Sequence, residues 1–240
     1  MSLSPSLSTK ADEVAPSEPQ RDCIFCPRLA DFRRTNRINF PDWFNSPVPS
    51  FGPRDASLLI VGLAPGLKGA NRTGRPFTGD YAGLLLYETL LAYGFARGTY
   101  DQRPDDGLVL TGCRITNAVR CVPPENKPTP GEVAACRSFL AATLKDMPQV
   151  RAILALGRIA FETTLRALAL KPSRYKFSHC GVVDLGVGSK LFGSYHCSRY
   201  NTSTGKLTPE MFRDVFDIIA AHLKSTAKQW SESNAGNIDR

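Results

Sequence analysis

Four of the seven cysteines fall into two groups whose spacing suits the ligation of one metal centre. Cys23 and Cys26 form a Cys-x-x-Cys knuckle, and Cys121 and Cys136 form a second pair with fourteen residues between them. Four thiolates can hold either zinc or a 4Fe–4S cluster, and the spacing alone does not separate the two. A disulfide framework is not expected, because the first residues lack the apolar segment of a secretory signal.

Two loops hold most of the other residues that could do chemistry, and each follows a predicted strand. The first loop, 62–80, is rich in glycine and proline and includes Phe77 and Asp80. The second loop, 195–204, carries His196. In sheets built from parallel strands, sites form at the carboxyl ends of the strands. These two loops are therefore where chemistry is expected.

Apolar periodicity predicts strands that alternate with helices. The apolar runs at 58–61 and 152–156 are typical of buried parallel strands. Further strands are predicted at 108–118, 182–187 and 191–195, and helices at 81–93, 130–145, 158–170 and about 208–224. Asp80 is placed to cap the first of these helices. This alternation indicates an α/β domain with a mainly parallel sheet.

The composition of the 240-residue chain is that of a globular protein with a basic surface. A net charge of +8 and a pI near 9.2 are compatible with a polyanionic partner. The sequence contains no apolar run of eighteen residues, so no membrane-spanning helix is predicted. We expect a disordered N-terminal tail at 1–20, a single domain at 21–228 and a flexible C-terminal tail at 229–240.

Three segments resemble the signature motifs of family 5 (type B) uracil-DNA glycosylases. They are GLAPG at 62–66 with GANRTGRPFTGD at 69–80, ITNAVRCVPPENKP at 115–128, and SYH, SR and NT within 194–202. The two cysteine pairs match that family's cluster ligands in order and placement. The resemblance implies a monofunctional enzyme that hydrolyses the N-glycosidic bond of uracil in DNA. It also implies action on hypoxanthine, xanthine and 5-substituted uracils, leaving an abasic site for base excision repair.

The resemblance assigns roles to residues in these segments. The target nucleotide must be flipped out of the duplex, and a donor near the departing base stabilises the charge that develops there. His196 is expected to be that donor, Asp80 to orient or deprotonate the attacking water, and Asn126 to position it. Substrate binding is expected from Gly62, Ala64, Gly66, Phe77 and Asn117. Contacts with DNA are expected from Arg75, Ser194, Ser198, Arg199 and Asn201.

The resemblance also implies a cofactor, a fold and a partner. Cys23, Cys26, Cys121 and Cys136 would hold a 4Fe–4S cluster that pins the N-terminal segment against the loop after Cys121. The implied fold has three layers, α/β/α, around a mainly parallel four-stranded sheet with small extra strands. The implied partner is DNA containing uracil or other deaminated bases. We expect a cytoplasmic, nucleoid-associated monomer of bacterial type, with no membrane partner.

Three positions deserve comparison with the family pattern. Several branches of the superfamily carry Asp or Asn at the place of Ala64, and this chain lacks that side chain, as family 5 does. Cys197 replaces the common proline after His196 and is expected to loosen that loop. Tyr81 stands where smaller residues are commoner, and it either narrows the pocket or faces away. A DNA-binding protein without catalysis and a uracil-specific family 4 enzyme are the alternatives; the lack of an acid at Ala64 argues against the latter.

Overall fold

A central sheet lies between two layers of helices in the computed structural model, which describes residues 16–235. The helices are α1 (Pro27–Asn39), α2 (Ala70–Thr73), α3 (Tyr81–Ala92), α4 (Pro130–Lys145), α5 (Arg158–Ala167), α6 (Arg199–Ser203) and α7 (Pro209–Ala235). The strands are β1 (Leu58–Gly62), β2 (Ala96–Arg97), β3 (Val109–Leu110), β4 (Cys113–Asn117), β5 (Ala152–Leu156), β6 (Val182–Gly186) and β7 (Ser189–Ser194). Single 3₁₀ turns occur at Pro124–Asn126 and Pro172–Arg174.

The central sheet has the strand order β4-β1-β5-β7-β6. Neighbouring strands from β4 to β7 are parallel, and β6 pairs antiparallel with β7 at one edge. The predicted α/β/α fold with a mainly parallel four-stranded sheet is confirmed, and β6 adds the fifth strand. The small pair β2–β3 is separate and antiparallel. All residues of β1, β4 and β5 are buried, because helices cover both faces, and this explains the apolar runs of β1 and β5.

Each face of the sheet carries its own apolar core. Leu86 of α3 and Phe216 of α7 belong to the core on one face. Leu140 of α4 and Phe161 of α5 belong to the core on the other face. Within residues 16–235, no helix is long and apolar enough to cross a membrane.

Local chemistry explains where the elements begin and end. The helix α4 starts at Pro130 as predicted, because Thr129 and Glu132 form a reciprocal capping box there. The prediction of a single strand at 108–118 is wrong. The segment is divided into β3 and β4 by a turn at Gly112, whose φ of 63° is accessible to glycine without strain.

The described parts of both predicted tails belong to the fold. Residues 1–15 and 236–240 lie outside the described residues. Ser17 is buried, and the carboxylate of Glu18 pairs with Arg114 at 3.2 Å and Arg120 at 2.8 Å. The helix α7 continues to Ala235, well beyond the predicted end near residue 224. Part of the predicted N-terminal tail, 1–20, thus packs into the fold, because polar composition does not reveal the partners of Glu18, and α7 extends into the predicted C-terminal tail, 229–240, as far as Ala235.

Candidate active site

A cleft of about 670 Å³ lies at the edge of the sheet where β1 and β4 end, and the loop after β7 also borders it. Gly62 and Asn117, the last residues of β1 and β4, are direct neighbours in the sheet. Predicted site residues that line the cleft are Ala64, Gly66, Phe77, Asp80, Asn117, Asn126, His196, Ser198 and Arg199. The two loops singled out in the sequence therefore meet at one site.

Gly62 leaves room for an aromatic ring and an amide at the cleft. A Cβ atom at Gly62 would lie 2.3 Å from Asn117 Oδ1 and 2.7 Å from Phe77 Cζ. Phe77 has a φ of 53°, which is rare for a bulky residue. Tyr100 Oη donates a hydrogen bond to the Phe77 carbonyl at 3.0 Å, and a Cβ at Gly83 would lie 1.8 Å from that oxygen. These contacts hold the strained Phe77 backbone in place.

Two buried polar atoms at the cleft, Asn117 Oδ1 and His196 Nδ1, have no hydrogen-bond partner within the described chain. Buried polar atoms are normally paired, so these two are available to a ligand or to water. Burial lowers the pKa of His196 to about 4, and the ring is therefore neutral at pH 7. The ring centroids of His196 and Phe77 are 5.9 Å apart. An amide, a neutral imidazole and an aromatic ring thus face one space.

Hydrogen bonds from two directions fix the segment that carries His196. Asn201 Nδ2 donates to the His196 carbonyl at 2.8 Å. Tyr195 N donates to His179 Nδ1 at 3.2 Å, and His179 Nε2 lies 3.0 Å from the carbonyl oxygen of Met211. Since a carbonyl only accepts, His179 carries its proton on Nε2 and leaves Nδ1 free to accept. The amide of Asn201, predicted to contact DNA, serves this internal contact.

Asp80 both caps α3 and borders the cleft. Its Oδ1 accepts a hydrogen bond from Gly83 N at 3.2 Å, which is the predicted capping contact. Its Oδ2 packs against the glycine-rich loop, since a Cβ at Gly69 would lie 2.4 Å away. Burial raises the pKa of the Asp80 carboxyl above its ordinary value. Asn126 lines the same cleft, and its Oδ1 accepts a hydrogen bond from Leu67 N at 3.4 Å.

Two of the residues predicted to contact DNA are inside the protein. Arg75 is 5% exposed, and its guanidinium forms two hydrogen bonds with Asp106, at 2.8 and 2.7 Å, beneath the ring of Tyr87. Ser194 is fully buried, and its hydroxyl donates to the carbonyl of Tyr195 at 2.9 Å. In this structure both side chains therefore make internal contacts, and neither lines the cleft.

The structure also answers the questions raised by the unusual positions. Tyr81 lines the cleft, with the guanidinium carbon of Arg199 5.2 Å from its ring centroid. Cys197 is fully buried in the core, where it packs as a small apolar residue. Lys68, which sequence reasoning missed, lines the cleft, and its place in the glycine-rich loop was the signal. His179 was also missed, and a lone histidine gives no signal.

Cys23, Cys26, Cys121 and Cys136 line a second cavity, here called the cysteine cavity. All four are free of disulfide bonds. The helix α1, which the sequence did not predict, starts at Pro27 directly after the first pair. It brings that pair against the chain that follows β4 and against α4, which carries Cys136. The two cysteine groups identified in the sequence therefore lie together.

Nitrogen donors approach the sulfur atoms of the cysteine cavity. Arg33 Nη1 donates to Cys121 Sγ at 3.2 Å, and the backbone N of Arg120 donates to Cys136 Sγ at 3.3 Å. Burial raises the pKa of the Cys136 thiol to about 12 and that of Cys26 to about 11. Without a bound cation these thiols are protonated at pH 7. A metal centre would offset the cost of ionising them.

Comparison with known proteins places these features in a family. Residues 49–220 match the family model described as the uracil DNA glycosylase superfamily. The type-5 uracil-DNA glycosylase of Thermus thermophilus is 45% identical over 198 residues, which cover 80% of this chain and 90% of that protein. The type-5 enzyme of Mycobacterium tuberculosis is 43% identical over 202 residues, covering 81% and 75%. A type-4 uracil-DNA glycosylase of Thermotoga maritima is 36% identical over 184 residues, covering 76% and 79%.

Proposed function

The chain belongs to the type-5 uracil-DNA glycosylases of the uracil DNA glycosylase superfamily, and from this we propose that it hydrolyses the N-glycosidic bond of uracil in DNA. The product is an abasic site for base excision repair. One observation carries the proposal: Asn117 Oδ1 and His196 Nδ1 have no hydrogen-bond partner within residues 16–235 and lie beside Phe77 in a single cleft. A flipped uracil offers a flat face to a ring and polar atoms to an amide and an imidazole.

Three residues of the cleft have separate roles in the reaction. Water oxygen bonds to C1′ of the sugar as the C1′–N bond breaks, and that electron pair leaves with the base. Neutral His196 donates a ring N–H to the base oxygen, where negative charge develops in the transition state. Asp80 accepts the proton of the water, and its raised pKa makes it a stronger base than an ordinary aspartate. Asn126 positions the water.

The same cleft supports a range of bases that includes hypoxanthine, xanthine and 5-substituted uracils. It is about 670 Å³ in volume, and Ala64 contributes only a methyl group to its wall. The amide of Asn117 presents both a donor and an acceptor, so it pairs with more than one arrangement of polar atoms on a base edge. Space and an adaptable amide together favour a broad substrate range.

The cysteine cavity fits a 4Fe–4S cluster held by Cys23, Cys26, Cys121 and Cys136. Four soft sulfur ligands with N–H donors to the sulfur are typical of such sites. Zinc also accepts four thiolates, and the match of these four cysteines to the family's cluster ligands in order and placement supports the cluster instead. When bound, the cluster supplies a structural crosslink between α1 and α4.

The protein's charge supports its expected partner and location. A net charge of +8 favours the DNA polyanion, since basic groups displace counterions from phosphates. Ser198 and Arg199 line the cleft and are the remaining predicted phosphate contacts. We therefore propose a monomer that acts on nucleoid DNA.

Single-turnover assays with excess enzyme and a duplex containing one uracil test the proposed activity. Alkali cleaves the strand at an abasic site, so the wild-type protein should give a time-dependent cleaved product. Asp80→Ala should slow product formation strongly while the protein stays folded. If the protein binds damaged duplex without releasing any base, the alternative of a non-catalytic DNA-binding protein is correct. Iron content and visible absorbance of the purified protein test the cluster, with Cys121→Ser as the matched variant.

A further inference from the structure

Tyr81 and Arg199 are in contact within the lining of the active-site cleft. Tyr81 is the first residue of α3 and directly follows Asp80, whereas Arg199 is the first residue of α6 and follows His196 by three positions. The guanidinium carbon lies 5.2 Å from the centroid of the Tyr81 ring. Both residues line the cleft. The contact thus joins the segment that carries the proposed base to the segment that carries the proposed donor.

We propose that Tyr81 and Arg199 form a clasp that selects substrates by size, favouring pyrimidines such as uracil over the larger purine hypoxanthine. The inference rests on the proposed glycosylase function and assigns a specificity role within it. Tyr81 is 39% exposed and lines the cleft, so its ring is not part of the core and borders the space that a base would enter. A purine needs more of that space than a pyrimidine does.

The contact is of a strength that a substrate can displace. Among the described residues, the Arg199 guanidinium forms no ion pair with a carboxylate. It contacts the face of the Tyr81 ring. Exposed cation–π contacts are weak and change an equilibrium by about two- to fivefold. The clasp therefore discriminates modestly between bases and does not block entry. Larger bases react by opening it, and smaller bases react with it closed.

Selectivity among bases separates this role from a general role in DNA binding. Arg199 also lies where it could contact a phosphate, and loss of such a contact slows all substrates in one duplex equally. The ratio of rates for two bases in the same duplex cancels that effect. Non-additivity is a second signature of the clasp. When two residues act through one contact, the effects of substituting each of them do not add in the double variant.

Single-turnover rates for uracil, 5-hydroxymethyluracil and hypoxanthine in one duplex context test the clasp. Tyr81→Ala and Arg199→Ala should each raise the hypoxanthine-to-uracil ratio about two- to fivefold, and the double variant should raise it no further. Tyr81→Phe keeps the ring and should keep the wild-type ratio. Lys206→Ala is the matched control, because Lys206 lies 5.2 Å from the ring of Tyr195 and is not part of the cleft lining.

The outcomes distinguish failure of the clasp from failure of the proposed function. A wild-type protein that releases no uracil overturns the glycosylase function itself. A wild-type protein that releases uracil, with Tyr81→Ala and Arg199→Ala changing all three bases by one common factor, overturns the clasp alone. A hypoxanthine-to-uracil ratio that rises in both single variants, and no further in the double variant, supports the clasp.

Discussion

The active-site cleft and the cysteine cavity share a wall but use their polar groups in opposite ways. Ala64 lines the cleft and also packs against the core formed around the cysteines. On the cleft side, Asn117 Oδ1 and His196 Nδ1 are buried without partners in the described chain. On the cysteine side, Arg33 donates to a thiol sulfur at 3.2 Å. The cleft side thus leaves an acceptor oxygen and a ring nitrogen without partners, whereas the guanidinium groups of the cysteine side make contacts within the fold, although Arg33 Nε and Arg120 Nε also have no partner in the described chain.

The long-range ion pairs near the cysteine cavity strengthen this contrast. Glu18 reaches Arg120 across 102 residues of sequence, and Arg28 reaches Glu132 across 104 residues. Such contacts hold distant segments together because each requires both segments in place. Unpaired polar atoms cost stability, so a fold keeps them where a ligand will use them. The long-range ion pairs therefore lie on the cysteine side of Ala64, and the unpartnered amide and imidazole atoms lie on the cleft side.

The largest expected effect comes from removing an unpaired group of the cleft. Asn117→Ala should lower the single-turnover rate of uracil excision by about 10²- to 10³-fold, as loss of a transition-state contact does. Its melting temperature should change little, because the Asn117 Oδ1 atom makes no hydrogen bond within the described chain. His196→Ala should behave in the same way.

Asn71→Ala is the control for this contrast, because Asn71 is a buried asparagine whose amide nitrogen is used by the fold, although its Oδ1, like that of Asn117, has no partner in the described chain. Asn71 Nδ2 donates to Asn45 Oδ1 at 2.9 Å. Removing it leaves a buried acceptor unpaired and should lower the free energy of unfolding by about 1–3 kcal/mol. If Asn117→Ala lost as much stability as Asn71→Ala, the amide of Asn117 would be structural and the contrast would fail.

The next effect concerns the paired side. Glu18→Gln removes the carboxylate that pairs with Arg120, whose side chain is 1% exposed, and with Arg114, which is 9% exposed. Two buried guanidinium groups would then lack a counterion. The free energy of unfolding, measured in urea, should decrease. The loss should be near the lower end of roughly 3–5 kcal/mol, since Glu18 itself is 28% exposed. The excision rate of the folded protein should stay close to that of the wild type.

Sequence reasoning succeeded where local pattern decides structure. The helix at Pro130–Lys145 and the strand at Ala152–Leu156 were predicted with their observed bounds. Proline at the first helical position and a continuous apolar run are signals contained within a few residues. The meeting of Asn117 and His196 at one cleft also followed, because strand ends converge at one edge of a parallel sheet.

Other features could not be predicted because their partners are distant in sequence. Arg75 lies within a glycine-rich motif, and only the fold shows that Asp106, 31 residues away, buries it in an ion pair. Glu18 lies in a polar segment whose composition is typical of a tail. Its partners Arg114 and Arg120 are about a hundred residues further along. Tertiary contacts of this kind outweigh local composition.

The pH dependence gives a smaller effect, with opposite signs for two groups of the cleft. Burial lowers the pKa of His196 from an ordinary 6.5 to about 4, so the fold favours its neutral form. That stability is complete above pH 6.5 and is lost as the pH falls toward 4, by at most about 1.4 kcal/mol per pH unit. Burial raises the pKa of Asp80, so the fold favours the protonated carboxyl. The stability that this preference contributes is lost as the pH rises through the raised pKa.

Activity should report the Asp80 shift directly, because a protonated carboxyl cannot accept the proton of water. The single-turnover rate should fall about tenfold per pH unit on the acid side, and the midpoint of this fall should lie above the ordinary aspartate value of 3.8. Urea unfolding of wild type and His196→Asn between pH 4 and 6.5 isolates the histidine contribution. A midpoint at or below 3.8 would show that Asp80 is not the group being titrated.

The smallest expected effect concerns the exposed ion pair beside the cysteine cavity. Arg28 Nε and Nη2 donate to the two oxygens of Glu132 at 2.7 and 2.8 Å, but the Arg28 side chain is 43% exposed. Arg28→Ala should lower the free energy of unfolding by less than Glu18→Gln does, because Arg28 is exposed to solvent, and high salt should remove the difference. Glu132 would keep its capping bond from the backbone N of Thr129 at 2.7 Å. Arg28 and Glu18 both form ion pairs with residues about a hundred positions away in sequence. If Arg28→Ala and Glu18→Gln lost similar amounts of unfolding free energy, the stabilisation near the cysteine cavity would come from linking distant segments. Burial of the charges would then not be its source.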